Sequence, residues 1–191
     1  MENSLSNYTS YRIAFEYIKS DYFRYYGKIS FFGIFFNAIT THNHCFAFNF
    51  WFRLAKVRGI LYPIARLMHY RLMRKFGIQI PISTKIGYEF YIGHGVGIII
   101  NPTTVIGDNV NISQFTTIGA HGQAATIGNN VYIGPSVCIV NDIKIGNDVA
   151  IGAGSVVVKD IESYATVAGV PAKVLNLKGS SKFVNRKYKN K

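Results

Sequence analysis

A parallel β-solenoid with a short α-helical unit on its N-terminal side is the fold class this sequence predicts, and three observations predict it. An aliphatic residue recurs every six positions through Ile127, Ile133, Ile139, Ile145, Ile151 and Val157. Glycine follows that residue directly at Gly128, Gly134, Gly146 and Gly152, which frees the backbone to bend. Residues 8–80, by contrast, are rich in aromatics and read as short helices broken near Gly27, Thr40 to Asn43, Gly59 and Gly77. A period of six matches neither the 3.6 of a helix nor the 2 of a flat strand; it suits a chain that turns a corner after each short strand.

The helical unit spans 1–80. Its last segment, Ile60 to Phe76, mixes Ile64, Leu67, Met68 and Leu72 with Arg66, Arg71, Arg74 and Lys75. That basic amphipathic pattern fits a helix packed on the solenoid end, or one lying on a membrane surface. The solenoid spans 81–176. The same register catches Ile106, Ile112 and Ile118, and before them Ile86, Ile92 and Ile98. The fifth place of each later unit holds Val131, Val137, Ile143, Val149 or Ser155, and the pairs Asn129-Asn130 and Asn147-Asp148 tolerate tight turns. Two steps are long, Ile98 to Ile106 and Ile118 to Ile127, so loops are expected to leave the coil after Ile98 and after Ile118. If three units close one coil, Ile92, Ile112, Ile133 and Ile151 stack. The residues two places later, His94, Gln114, Pro135 and Ala153, then form a column. Residues 177–191 are polar, basic and aperiodic, and are expected to be disordered.

Charge follows the same division. Residues 1–80 hold eleven basic and three acidic residues, 81–176 four and six, and 177–191 six and none. Such asymmetry points to an anionic substrate, an anionic membrane face or nucleic acid; no nucleic-acid module accompanies it, so nucleic acid is not expected. The start Met-Glu-Asn-Ser lacks the features of a signal peptide. The longest apolar run, Ile29 to Ile39, falls short of the roughly 20 residues that cross a bilayer. Two distant cysteines, Cys45 and Cys138, make no disulfide framework. The expected setting is cytoplasmic, with the inner membrane face as a peripheral location.

Histidine is the natural candidate for proton transfer near neutral pH. His42, His44 and Cys45 form a His-Asn-His-Cys cluster without a fourth ligand, which favours packing or capping over a metal site. His69, inside the amphipathic segment, reads as structural. His94 lies just ahead of the first long step and His121 inside the second, so both are candidate functional groups.

The stretch from Lys85 to Leu175 resembles the hexapeptide-repeat acyltransferases, and within them the serine acetyltransferases. The resemblance is carried by Ile92-Gly93-His94-Gly95-Val96-Gly97-Ile98, Asn109 to Gln114, Thr117-Ile118-Gly119, Ile151 to Val157 and Ala168-Gly169-Val170-Pro171-Ala172-Lys173-Val174. It implies a left-handed parallel β-helix, a homotrimer and acetyl-CoA as co-substrate. His94 matches the general base that takes the proton of the acceptor hydroxyl, and Gln114 matches a family glutamine. CoA contacts are implied at Gln114, Gly119, Gly134, Pro135, Gly152 and Ala153, largely through main-chain groups, with Lys159 or Lys173 meeting its phosphates. The family's serine-binding charges are missing: their places hold Gly93, Gln79 and, in a shortened second loop, Ala124-Ala125. His121 in that loop does not align with the family's histidine. It is expected to bind the acceptor, to act as a second base, or to be loop surface. The carboxylate that would orient His94 is open, with Glu89 or a neighbouring subunit as candidates. The shortened second loop suits a neutral hydroxyl acceptor, and the chain also resembles the O-acetyltransferases of bacterial capsule, exopolysaccharide and lipopolysaccharide assembly, so the preferred expectation is O-acetylation of a sugar hydroxyl on such a glycan. Serine O-acetylation is the alternative, and a non-catalytic trimeric scaffold the second alternative.

Overall fold

The computed structural model describes residues 8–186 and 188. Four helices come first: α1 (Tyr11–Tyr26), α2 (Phe31–Thr40), α3 (His44–Leu54) and α4 (Tyr62–Phe76). Local chemistry sets their limits. Ser10, Ser30 and Asn43 cap the first three by accepting a hydrogen bond from Ile13, Gly33 and Phe46 N–H respectively, and Gly27 and Gly77 close α1 and α4 in the left-handed conformation.

The remaining chain winds a mainly β, left-handed parallel β-helix of hexapeptide repeats. The strands are β1 (Lys85–Ile86), β2 (Tyr91–Gly93), β3 (Ile99–Ile100), β4 (Val105–Ile106), β5 (Asn111–Ser113), β6 (Thr117–Gly119), β7 (Thr126–Ile127), β8 (Tyr132–Ile133), β9 (Cys138–Val140), β10 (Lys144–Ile145), β11 (Ala150–Ile151), β12 (Val156–Val157), β13 (Thr166–Ala168) and β14 (Lys173–Asn176). Three sheets form the faces of a prism, ordered β1-β4-β7-β10, β2-β5-β8-β11-β13-β14 and β3-β6-β9-β12. Ile92, Ile112, Ile133 and Ile151 stack one above another, as the six-residue period requires. Each such side chain is buried, which stabilises the fold by roughly 1.5–3 kcal/mol. The Asx residues do more than permit turns: Tyr88 N–H donates to Asp108 Oδ1 (2.8 Å), Asp108 N–H to Asn129 Oδ1 (2.7 Å) and Asn129 N–H to Asn147 Oδ1 (2.7 Å), a ladder linking one coil to the next.

The first long step falls elsewhere than the sequence suggests. Ile118 pairs with Ile100, not Ile98, so the extra residues precede β3. At the equivalent corners the residue in left-handed conformation is Phe115, Ser136 or Gly154, and in the first coil it is Gly97. Phe115 N–H donates to Val96 O just as Ser136 N–H donates to Gln114 O and Gly154 N–H to Pro135 O. Val96 therefore takes the place expected of His94 in the column with Gln114, Pro135 and Ala153. His94 and Gly95 are two inserted residues that bulge from the corner.

The helices plug the open end of this prism. The first coil has no preceding coil to satisfy its outward backbone groups, and side chains of the helical unit do so instead. Arg53 donates to Ile86 O (2.7 Å) and Gly87 O (2.6 Å), Asn49 to Phe90 O (2.9 Å), and Asp21 accepts from Phe90 N–H (2.9 Å). Tyr25 Oη accepts from Ile92 N–H at 3.0 Å. Arg53 and Asp21 form a buried ion pair, Nε to Oδ2 at 2.8 Å. Burial works against the Arg53 charge, and Asp21 and Tyr8 together outweigh it, holding the guanidinium protonated above its usual range. Lys56 donates to Ile82 O and Thr84 O, and burial pulls its ammonium down to about 6. One apolar core runs from Phe48, Phe52 and Leu72 through Ile86 to Val167, so the boundary near residue 80 divides secondary structure but not the core.

The C-terminal segment corrects another expectation. Residues 178–186, expected to be disordered, fold back along the β2-β5-β8 face. Ser180 and Val184 are buried, Phe183 stacks on Tyr132 (centroids 4.2 Å apart), Ser180 Oγ donates to Asn130 O, and Arg186 donates to Tyr25 O at 2.8 Å. Arg24, buried, donates to Asn111 Oδ1 and to Arg186 O. Aperiodic sequence hid these contacts because each occurs once. The Met-Glu-Asn-Ser start, Lys187 and residues 189–191 lie outside the described residues.

Candidate functional site

The bulge at the first corner has three properties. His94 is exposed and sits at φ +54°, a conformation that costs a non-glycine residue energy and is kept where surrounding contacts enforce it. The next residue, Gly95, is gripped on both sides by the N-terminus of α3: its N–H donates to Cys45 Sγ (3.1 Å), and its carbonyl lies 3.2 Å from His44 Nε2. Space is the third constraint, because a Cβ on Gly95 would meet Ile78, Cys45 and Ile92 atoms at 2.9–3.0 Å. His44 is itself fixed by stacking on Phe76, ring centroids 4.4 Å apart. The His-Asn-His-Cys segment thus holds the backbone beside His94, a role sequence reasoning missed because the partner lies fifty residues downstream. No group of three or more metal-ligating side chains occurs among the described residues.

Glu89 does not orient His94. It stands at the other end of β2, buried, with its N–H donating to Ser20 Oγ at 3.0 Å. Burial pushes its carboxyl up, against the opposing pull of the Arg24 charge. Among the described residues no hydrogen bond reaches the His94 imidazole from within the chain.

His121 is exposed in the second loop, which leaves after β6 and returns at β7. The loop is pinned to the preceding coil: Asn101 Nδ2 donates to Ala120 O (3.2 Å), Gln123 Nε2 to Thr103 O (2.8 Å) and Ala124 N–H to Thr103 Oγ1 (2.9 Å). His94 precedes β3 and His121 follows β6, so the two histidines flank opposite edges of the β3-β6-β9-β12 face. One chain does not bring them together.

Of the remaining predicted residues, Gln114, Gly134, Pro135, Gly152 and Ala153 line the stack below His94, whereas Gly119 and Lys159 lie at the ends of β6 and β12 on the His121 edge. Gln114 is half-buried, and its Oε1 is enclosed without a hydrogen-bond partner. Gly134 and Gly152 are required by coil stacking: a Cβ on Gly134 would come within 2.9 Å of Ala153 N, and one on Gly152 within 2.9 Å of Ala168 Cβ. Gly119, in contrast, faces open space. Pro135 is half-buried and Ala153 exposed at successive corners. Lys159 and Lys173 are exposed near the far end. Lys159 borders a cavity of about 340 Å³ that Asp160, Glu162, Ala172 and Leu177 also line. A second cavity, of about 440 Å³, lies between the end of α4 and the first coil; Tyr70, Arg74 and Gln79 border it.

The structure is thus a parallel β-helix of six-residue units whose first coil carries a histidine-bearing bulge at one corner. The family model described as "Bacterial transferase hexapeptide (six repeats)" matches residues 124–159. The chain is similar to a serine acetyltransferase of Staphylococcus epidermidis, 41% identical over 124 residues that cover 62% of this chain and 58% of the relative. Serine acetyltransferase 4 of Arabidopsis thaliana is 38% identical over 117 residues, 59% of this chain and 33% of that one. The chain thus spans about half, or less, of the length of these relatives. Among solved structures, serine acetyltransferase of Brucella abortus superposes with TM-score 0.70 at 27% identity, covering 85% of this chain and 69% of that one. The Neisseria gonorrhoeae enzyme gives 0.65 at 28%, covering 88% and 65%. These similarities favour the serine alternative over the sugar reading preferred from sequence.

Proposed function

We propose that the chain is an O-acetyltransferase of the serine acetyltransferase type, moving an acetyl group from acetyl-CoA to an acceptor hydroxyl, with L-serine the first acceptor to test. The observation that carries this reading is the pinned, strained bulge that projects His94 into solvent from the first corner of the prism. In the proposed reaction the acceptor oxygen attacks the thioester carbon while His94 accepts its proton, and backbone N–H groups stabilise the oxyanion. Collapse expels the CoA thiolate, which recovers the proton from His94. Four coils at about 4.8 Å spacing give the His94 edge a length of roughly 15–20 Å down to Lys173, enough for an extended co-substrate. We further propose a trimer, whose neighbouring subunit supplies the groups near His94 that one chain lacks, His121 among them.

A second reading, transfer to a neutral sugar hydroxyl, is favoured by Gly93, Gln79, Ala124 and Ala125 at the places where the resemblance puts serine-binding charges. Release of CoA thiol from acetyl-CoA distinguishes the two when L-serine is compared with a panel of sugars and nucleotide sugars. Turnover on serine comparable to that of dedicated enzymes supports the first; turnover confined to sugars supports the second. His94→Ala should lower kcat by about 10²–10⁴ with CoA affinity nearly unchanged. Full activity in that variant would remove His94 from the reaction.

A further inference from the structure

The helical unit leaves an apolar surface uncovered across two of its helices. On α2, Phe31, Phe32 (81% exposed), Phe36 and Ile39 point outward, although Ile34, Asn37 and Ala38 on the same helix already supply its buried side. On and just before α4, Ile60 (90% exposed), Ile64 and Leu67 do the same, opposite the inward residues Ala65, His69 and Leu72. An apolar groove of about 200 Å³ joins the two helices, walled by Phe35, Ile39, Leu61 and Ile64 with Trp51 and Leu54 beneath. Large contiguous exposed apolar surface marks an interaction site.

Charge identifies the occupant. From Tyr22 to Tyr88 the chain has ten basic residues and not one acidic residue. Three of these, Arg24, Arg53 and Lys56, are buried, but Lys28, Arg58, Arg66 and Arg71 are exposed on the segments that carry the apolar residues. A second copy docked face to face would set these cations against their own kind, with no carboxylate to pair them. The interface of an anionic bilayer meets both demands: phenyl and aliphatic groups enter the boundary between headgroups and acyl chains while the cations meet lipid phosphates. No helix among the described residues is long and apolar enough to cross a membrane, so the contact is peripheral.

We propose that the outer faces of α2 and α4 dock this protein on an anionic lipid surface. The proposal is independent of acetyl transfer, and its test reads lipid binding alone. Flotation of the full chain with phosphatidylcholine vesicles, plain or containing phosphatidylglycerol, should show binding to the anionic vesicles that weakens as salt rises. Phe32→Asp with Ile60→Asp should reduce that partition about tenfold or more, and Arg66→Glu with Arg71→Glu by about as much. The substituted side chains are exposed, so circular dichroism and the unfolding midpoint should stay unchanged. Failure of the parent chain to float with anionic vesicles overturns the proposal, as does equal binding to neutral and anionic vesicles. So does a Phe32→Asp, Ile60→Asp variant whose lipid partition is unchanged while its sedimenting mass falls; that result would make the surface a contact between copies, and loss of binding to a soluble acidic protein with lipid partition unchanged would make it a protein site.

Discussion

The solenoid and the helical unit are held together by opposite means. In the solenoid the main stabilising contacts are repeated: an isoleucine stacks on the isoleucine of the next coil, and an Asx side chain accepts the next amide. In the helical unit the main contacts are single and large, such as the Asp21–Arg53 pair, the buried Lys56, and Tyr17 stacked on Tyr88 with centroids 3.9 Å apart. Repeated contacts spread the cost of losing one; unique contacts concentrate it.

That contrast can be broken most sharply at Asp21. Asp21→Ala leaves the Arg53 charge buried and unpaired, and should destabilise the chain by about 3–5 kcal/mol in denaturant unfolding. Because Arg53 also bridges to Ile86 O and Gly87 O, helix and β signals should fall in one transition. Two separate transitions would show that the regions stand independently. In the solenoid, Ile133→Ala should cost about 3 kcal/mol through a cavity that adjoining coils cannot fill.

Acid provides a smaller effect confined to the helical side. His69 is buried between Phe48 and Phe52 (centroids 5.1 and 5.8 Å), and burial pulls its imidazole down to about 4. A pKa depressed in the folded state means that the unfolded chain takes up the proton first. The stability held above about pH 6.5 should therefore drop as pH falls toward 4, by about 2 kcal/mol at pH 5. His69→Leu should flatten that part of a plot of unfolding midpoint against pH, relative to the parent. The smallest effect is expected at the joint. Cys45→Ala removes the acceptor of the Gly95 N–H, which should cost about 1 kcal/mol and slow turnover about fivefold without altering acetyl-CoA KM, with Cys45→Ser recovering part of the loss.

The same contrast explains what could be read in advance. The period of six revealed the prism, the coil stacking through Ile92, Ile112, Ile133 and Ile151, and the loop holding His121, because each is a property of a repeat or of a gap in one. Helix breaks at Gly27, Asn43, Gly59 and Gly77 were legible through local turn and cap chemistry. The position of the inserted pair His94-Gly95 was not: Ile98 and Ile100 are both buried aliphatics, and only strand pairing shows that Ile100 carries the register. The grip of Cys45 and His44 on Gly95, and the docking of residues 178–186 on Asn111, Asn130 and Tyr132, join segments far apart in the chain without any recurring pattern.

The side chains that close the first coil have a consequence for assembly. A stack of parallel coils is in principle endless, since each rung offers the hydrogen-bonding template for another. Asp21, Tyr25, Asn49 and Arg53 occupy that template at the N-terminal end, so the helices act as a chain terminator against growth into fibrils. A fragment beginning at Lys85 would expose a bare rung, and end-to-end polymerisation of such fragments is the outcome this architecture prevents.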